Sequence, residues 1–357
     1  MLDTSVYALN DAQLRRYEEL EKEYMQMFTD PKNCIPKFTI PIKTSFNPTW
    51  EEILADKDVM LKNHLERNAR HVEVGDDSTL NVRVDFGTCV VANAFGCGVF
   101  YPTNSLPCAK DHVVKTREQI FSLKPPDISV APYRKFREWS EYFVEKLPEG
   151  YHMEFPDIQG PFNNAHLIRG NDIFFDMYDD IEAFDKLMEV ATDATIEYAK
   201  ATRQWTNAKE GWLYDWSALW KGNARISNCS LHMIGRELYL NHVIKHDVRF
   251  IKELNGARIH YCGSAKNVIE EMAKIPGITG IDYESLLHDI EETMENVPED
   301  LTILQPLGLS TDVAKKILSS KTWPFKKRNI IFRLRGPDKT VEEAKELYRR
   351  LRRVAEN

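Results

Sequence analysis

The chain has 357 residues, with 47 Lys plus Arg against 55 Asp plus Glu, for a net charge of −8. A chain of this length buries a sizeable core without covalent staples, and 43% hydrophobic with 29% charged residues is a globular composition. The acidic balance argues against a general nucleic-acid binder or a binder of anionic membranes, and no apolar run approaches the roughly 20 residues of a membrane span.

The opening MLDTSVYALN has neither the basic nor the apolar region of a secretion signal. Over the first 75 residues the pattern is helical: Leu14, Tyr17, Leu20, Tyr24 and Met27 recur near helical spacing. Thr49 and Glu52 form a capping box ahead of Trp50, Ile53, Leu54 and Leu61. Between these helices, Pro31 to Pro48 carries four prolines and is expected as a loop or extended arm.

After Gly75 short β-rich runs alternate with helical patterns. Eight candidate strands fall at 82–87, 98–102, 151–156, 212–216, 258–263, 279–283, 301–306 and 329–335. The helical stretch 180–205 carries Ile181, Phe184, Leu187, Met188, Ala191 and Ile196 on one face, and 236–254 ends at Asn255-Gly256. A last helix opens with the capping box Thr340–Glu343 and ends in Arg349, Arg350, Arg352 and Arg353. Eight strand–helix units in roughly 275 residues predict an α/β fold, a (β/α)8 TIM barrel over residues 76–357, preceded by a helical extension over 1–75. A doubly wound sheet would show a Gly-rich phosphate turn. The chain has only Gly96-Cys97-Gly98, ahead of a strand.

His260-Tyr261-Cys262-Gly263 is the sharpest local feature. On a strand, positions i and i+2 share a face, so His260 and Cys262 would project together at the strand's C-terminal end. That pair could begin a zinc site, and the same spacing also fits an ordinary strand with a buried Cys and a hydrogen-bonded His. In the second feature, 151–162, Glu154 leads into Asp157, Gln159 and Gly160-Pro161; Asp157 could orient a substrate or act as a base, or simply form a turn. Trp212, Trp216 and Trp220 are core packing or the wall of a site. The six cysteines (34, 89, 97, 108, 229, 262) follow no framework spacing and are expected as reduced thiols of a cytoplasmic protein, with Cys89 and Cys97 as small packing residues.

Three blocks together resemble the uroporphyrinogen-decarboxylase-like superfamily over about residues 80 to 357. They are Gly160-Pro161-Phe162 through Arg169-Gly170 to Phe175–Asp180, Ile226-Ser227-Asn228 through Glu237-Leu238-Tyr239, and His260–Gly263 followed by Ile275-Pro276-Gly277 and Gly280-Ile281-Asp282. The resemblance implies a barrel with its site at the C-terminal mouth. True decarboxylases of the family carry an Arg-rich motif in the first barrel strand. The stretch from Val82 here offers Arg83 alone, so the chain looks nearer the zinc-dependent, cobalamin-linked methyltransferases. That branch implies zinc on His260, Cys262 and a Cys in the final strand, but the final strand reads Ile331-Phe332-Arg333-Leu334-Arg335. Cys229 is the first choice for the third metal ligand, ahead of Glu154 and His232. Asp157 and Asp282 are the expected catalytic residues, and Glu154, Gln159, Trp212, Trp216 and Arg335 the expected substrate contacts. The implied function is metal-dependent methyl transfer between a small methylated substrate and a corrinoid or thiol. The alternatives are decarboxylation of a porphyrinogen or other carboxylated substrate, and a non-catalytic binding barrel. Expected partners are a small-molecule substrate and a corrinoid protein, with no nucleic acid and no membrane; a homodimer is left open.

Overall fold

The computed structural model describes residues 2–263, 268–283 and 288–357. Its strands are β1 (Lys37–Thr39), β2 (Asn81–Val82), β3 (Gly98–Phe100), β4 (Cys108–Lys110), β5 (His152–Met153), β6 (Trp212–Asp215), β7 (Ala218–Lys221), β8 (Ala224–Ser227), β9 (Ala257–Tyr261), β10 (Ile278–Tyr283), β11 (Thr302–Gly308) and β12 (Ile330–Arg335). Six of them form one parallel sheet in the order β1-β12-β11-β10-β9-β8, and β2 pairs parallel with β5. Two contacts join these pieces into a ring. A bridge links Gln159, just past β5, to Ser227 of β8, and the Asp77 N–H, ahead of β2, donates to the Phe38 carbonyl of β1. The staves are therefore β1, β2, β5 and β8 to β12, with helices such as Ile181–Trp205 and Val341–Glu356 outside them. Among the described residues no helix is long and apolar enough to cross a membrane.

Two of the expected staves lie elsewhere. The 98–102 run forms β3, which pairs antiparallel with β4 in a separate ribbon. The 212–216 run forms β6, half of an antiparallel hairpin with β7. The staves that replace them left weak signals. β1 lies inside the proline-rich arm of the expected helical extension, a three-residue strand held by Phe38, which stacks on Phe332 of β12 at 5.4 Å. Fully burying such a ring contributes about 1.5–3 kcal/mol, enough to fix a short arm. β8 reads Ala-Arg-Ile-Ser, and its alternate residues Arg225 and Ser227 are buried on the polar inner face, so no apolar run marks it.

The β6–β7 hairpin closes the barrel floor. Its two turn residues, Trp216 and Ser217, have φ of 50° and 59°, the left-handed pair of a primed two-residue turn. Asn and Gly suit such a turn best, and a Trp there is strained backbone held by its surroundings. The Trp216 N–H donates to Glu154 (3.1 Å), and the Ser217 carbonyl accepts from Thr79 (2.9 Å). The indole lies 4.9 Å from the His260 ring and 4.5 Å from the Arg333 guanidinium, with Arg225 and Arg258 at 5.2 and 5.4 Å. A residue touching the chain after β5 and staves β8, β9 and β12 sits near the barrel axis. Trp220 follows it inward and packs on Gly280, where a β-carbon would come within 2.5 Å of the ring. Glycine is required at 280 for that approach.

Candidate metal centre at the barrel mouth

Alternation along β9 places Ile259 and Tyr261 on the helix side and Arg258 and His260 on the inner side. Cys262 follows the strand end directly, and Gly263 packs against the His232 ring. Cys229 opens a short 3-10 turn (Cys229–Met233) after β8, and the Asn228 N–H donates to the His260 carbonyl at 2.9 Å. These two strand ends bring one donor atom each of Cys229, His260 and Cys262 within 4.8 Å of one another. The two sulfurs are joined as a disulfide, with the Cα atoms 5.3 Å apart, so this pair departs from the six reduced thiols expected and offers two thiolates to a metal once it is reduced. The other four cysteines are free thiols, and Cys89 and Cys97 are buried as packing residues.

The donor set fits zinc. Two thiolates and an imidazole are standard zinc ligands, and three protein ligands leave a fourth position for substrate. The partial exposure of the cluster leaves room on its outer side. His260 Nδ1 is hydrogen-bonded to Asp282, which sits opposite it in the β9–β10 register and is ion-paired to Arg258. An ionised Asp282 accepts the Nδ1 proton and leaves Nε2 as the donor atom, an arrangement that fixes the tautomer of many metal-bound histidines. Burial, reinforced by Arg225, holds the His260 pKa well below its ordinary value. Asp282→Asn should weaken zinc affinity 10- to 100-fold in a chelator competition, because a neutral amide oxygen is a weaker acceptor for Nδ1–H than a carboxylate and no longer raises the basicity of the ring. An unchanged affinity would remove Asp282 from the site.

Below the donors lies a network of buried charges. Arg258 is ion-paired to both Asp215 and Asp282 and lies 4.5 Å from the Trp220 ring. Arg225 pairs with Asp157 and lies 3.8 Å from Asp215. Arg83 pairs with Asp85 (2.6 Å) and Glu154 (3.2 Å). Burial alone would raise the Asp157 pKa, but Arg225 and Arg83 outweigh it and hold the carboxyl below the usual range; Ser227 Oγ adds a hydrogen bond at 2.9 Å.

The structure brings Cys229, His260 and Cys262 together at the mouth, with Trp216, Asp157 and Glu154 directly beneath them. Asp282 is fully buried behind His260, so it acts on the ring and not on a substrate. Glu154 is engaged by Asn81, Arg83 and the Trp216 N–H. Gln159 is held in the wall: its side chain accepts from Asn163 and its carbonyl from Asn164 (2.9 Å). Trp212 lies at the other end of β6, edge-on to Phe28 at 5.8 Å, in a small cavity of about 130 Å³ with Glu21 and His152, and takes no part in the mouth. Its spacing from Trp216 is helical, but the segment is a strand whose two ends point apart. His232 is exposed and its Nδ1 meets the Cys229 carbonyl. Arg225, Arg258, Asp215 and Arg333 were missed. Their signal was the polar alternation Arg258-x-His260-x-Cys262, Arg225-x-Ser227 and Arg333-x-Arg335, the mark of staves with a polar inner face.

The loop carrying Cys229 is anchored from beneath. Asn228 Nδ2 donates to Asp247 (2.8 Å), which also accepts from Tyr239 (3.1 Å). Burial pushes the Asp247 pKa up to about 7, and the two hydrogen bonds only partly offset it. A carboxyl with a raised folded pKa costs stability as pH climbs from about 4, where the unfolded chain ionises, to about 7, where the folded one does. Asp247→Asn should therefore be more stable than the parent at pH 8, by on the order of 2–4 kcal/mol at about 1.4 kcal/mol per pKa unit, and little changed at pH 4. Denaturant unfolding at the two pH values checks this.

A family model described as uroporphyrinogen decarboxylase (URO-D) matches residues 78–305. The chain belongs to the URO-D family. The matched span runs from just before β2 into β11 and leaves out β12, the stave where the expected third cysteine is missing. Within the family the chain is similar to the methylcobamide:CoM methyltransferase MtbA of Methanosarcina acetivorans, at 26% identity over 329 residues, covering 85% of this chain and 90% of that protein. In fold it is similar to a methyltransferase from Methanosarcina mazei, with a TM-score of 0.70 at 14% identity, covering 93% of this chain and 98% of that one. The chain is a URO-D-like barrel enzyme on the methyltransferase side of the family.

Proposed function

We propose that this enzyme moves a methyl group from a methylated corrinoid, presented by a partner protein, to a small thiol, with zinc held by Cys229, His260 and Cys262. The observation that carries the reading is the convergence of these three donors at the mouth of a URO-D barrel. The sequence relative acting between a methylcobamide and CoM supports the reaction class. Zinc in such a site makes a bound thiol a thiolate nucleophile near neutral pH. The protein's own residues do the rest. Asp282, set by Arg258, keeps His260 in one tautomer. Trp216 packs edge-on against the His260 ring from below and fixes its position. Asp157, held ionised by Arg225, stands beneath the donors to orient a substrate. Two thiolate ligands suit a reducing cytoplasm. The 1–75 segment is proposed as an integral extension, since it supplies β1 to the ring.

Incubation of zinc-loaded protein with methylcobalamin and a small thiol tests the reading. Loss of methylcobalamin absorbance with formation of the methyl thioether supports it, and no turnover with any thiol contradicts it. The same protein should form no coproporphyrinogen from uroporphyrinogen. Arg83, Arg225 and Arg258 are neutralised by carboxylates of the chain itself, and a buried carboxylate without a partner costs several kcal/mol.

A further inference from the structure

Four arginines project from the barrel staves toward the axis. Arg83, Arg225 and Arg258 each have buried carboxylate partners. Arg333, on β12, has none. Among the described residues its side chain makes no hydrogen bond and no ion pair, and its guanidinium lies over the Trp216 ring at 4.5 Å. Burial, with the neighbouring cations Arg335, Arg83 and Arg67 and against Glu154, holds its pKa down to about 10. Arg67, on the helix Lys57–Val74, likewise has no ion pair or hydrogen bond from its side chain among the described residues. Both arginines line one cleft of about 470 Å³ at the C-terminal ends of β1 and β12, together with Arg335 and the side chains of Thr39 and Ser217. A single carboxylate, Asp338, lines it. The Arg333 guanidinium is mostly buried without an anion, which is costly; with the exposed Arg67 at the rim and hydroxyl-bearing residues beside it, the open cleft is arranged for an anion from outside.

We infer that Arg67 and Arg333 bind a small oxyanion, a carboxylate or sulfonate, that forms the far end of the substrate. Trp216 stands between this subsite and the metal donors: one indole meets Arg333 at 4.5 Å and His260 at 4.9 Å. A substrate with a short spacer between its anionic end and its sulfur would lie across that ring. The assignment of the sulfur end rests on the proposed function; the oxyanion contact does not. The subsite selects charged over neutral thiols, and Trp216 sets the spacer length.

The test uses the full chain and probes that carry no thiol, namely propionate, ethanesulfonate and the neutral propionamide, titrated by calorimetry. The expected result is measurable binding of at least one anion, no binding of propionamide, and at least a tenfold loss of anion affinity in Arg333→Gln and in Arg67→Gln. The ranking of propionate against ethanesulfonate tells which oxyanion the cleft prefers. Zinc content, measured on the same samples, should stay at the parent level in both variants, so a failure of the metal reading shows separately. Equal binding of propionamide, no anion binding to the parent, or unchanged affinity in both variants would overturn the inference.

Discussion

Cys262→Ala should leave the purified protein almost free of zinc and reduce methyl transfer by more than 100-fold. Three donors from two strand ends form the candidate centre, and none of the other cysteines lies among them. Losing a hydrogen-bonded partner of a ligand commonly costs 10- to 100-fold in metal affinity, so losing a thiolate ligand should cost more. Cys229→Ala should behave the same way, and this variant separates the two origins of the third ligand. If zinc persists in Cys229→Ala but not in Cys262→Ala, another residue completes the site. Both variants should keep the parent's far-ultraviolet spectrum, because each removes a small side chain at a strand end.

Arg258→Met should destabilise the fold by about 3–5 kcal/mol, the largest stability effect expected from any mouth residue. The guanidinium is fully buried between Asp215 and Asp282, neither of which is exposed. Removing it leaves Asp282 with only its hydrogen bond to His260 and Asp215 with only Arg225 at 3.8 Å in the barrel interior, and breaking a buried pair in this way typically has that cost. The loss should be greater at pH 8 than at pH 5. Without Arg258 the two carboxyls take raised pKa values in the folded state, so stability falls as pH rises through the interval above their unfolded values. The double variant Arg258→Met with Asp215→Asn should recover part of the loss. Urea unfolding of the three proteins measures it, and a single-variant loss below about 1 kcal/mol would show that water reaches the network.

The barrel could be read from strand–helix alternation because several of the helices are long and well marked. Asp11–Met27, Ile181–Trp205 and Val341–Glu356 all carry the apolar faces or caps that the sequence shows. The count of eight strands was reached with two wrong members. β1 is hidden by the prolines around it and held by a distant partner, Phe332. β8 is hidden because Arg225 and Ser227 face a polar interior. The metal donors were partly legible: His260 and Cys262 follow from the period of two, whereas Cys229 joins them through the pairing of β8 with β9, a contact between residues 33 positions apart in sequence. The charge network was not legible. Asp215, Asp157 and Asp282 come from three different segments, and only the inserted hairpin brings Asp215 beneath Arg258. Trp216 earned attention for its aromatic spacing, but its position follows from a strained turn that spacing does not reveal.

X-ray absorption at the zinc K edge of the protein loaded with one equivalent of zinc tests the central claim most directly. The expected shell holds two sulfur scatterers near 2.3 Å, one imidazole nitrogen at about 2.0–2.1 Å and one further light atom, and in Cys229→Ala any zinc that is retained should show no two-sulfur shell. A zinc shell with no sulfur, or a two-sulfur shell unchanged in Cys229→Ala, would contradict it.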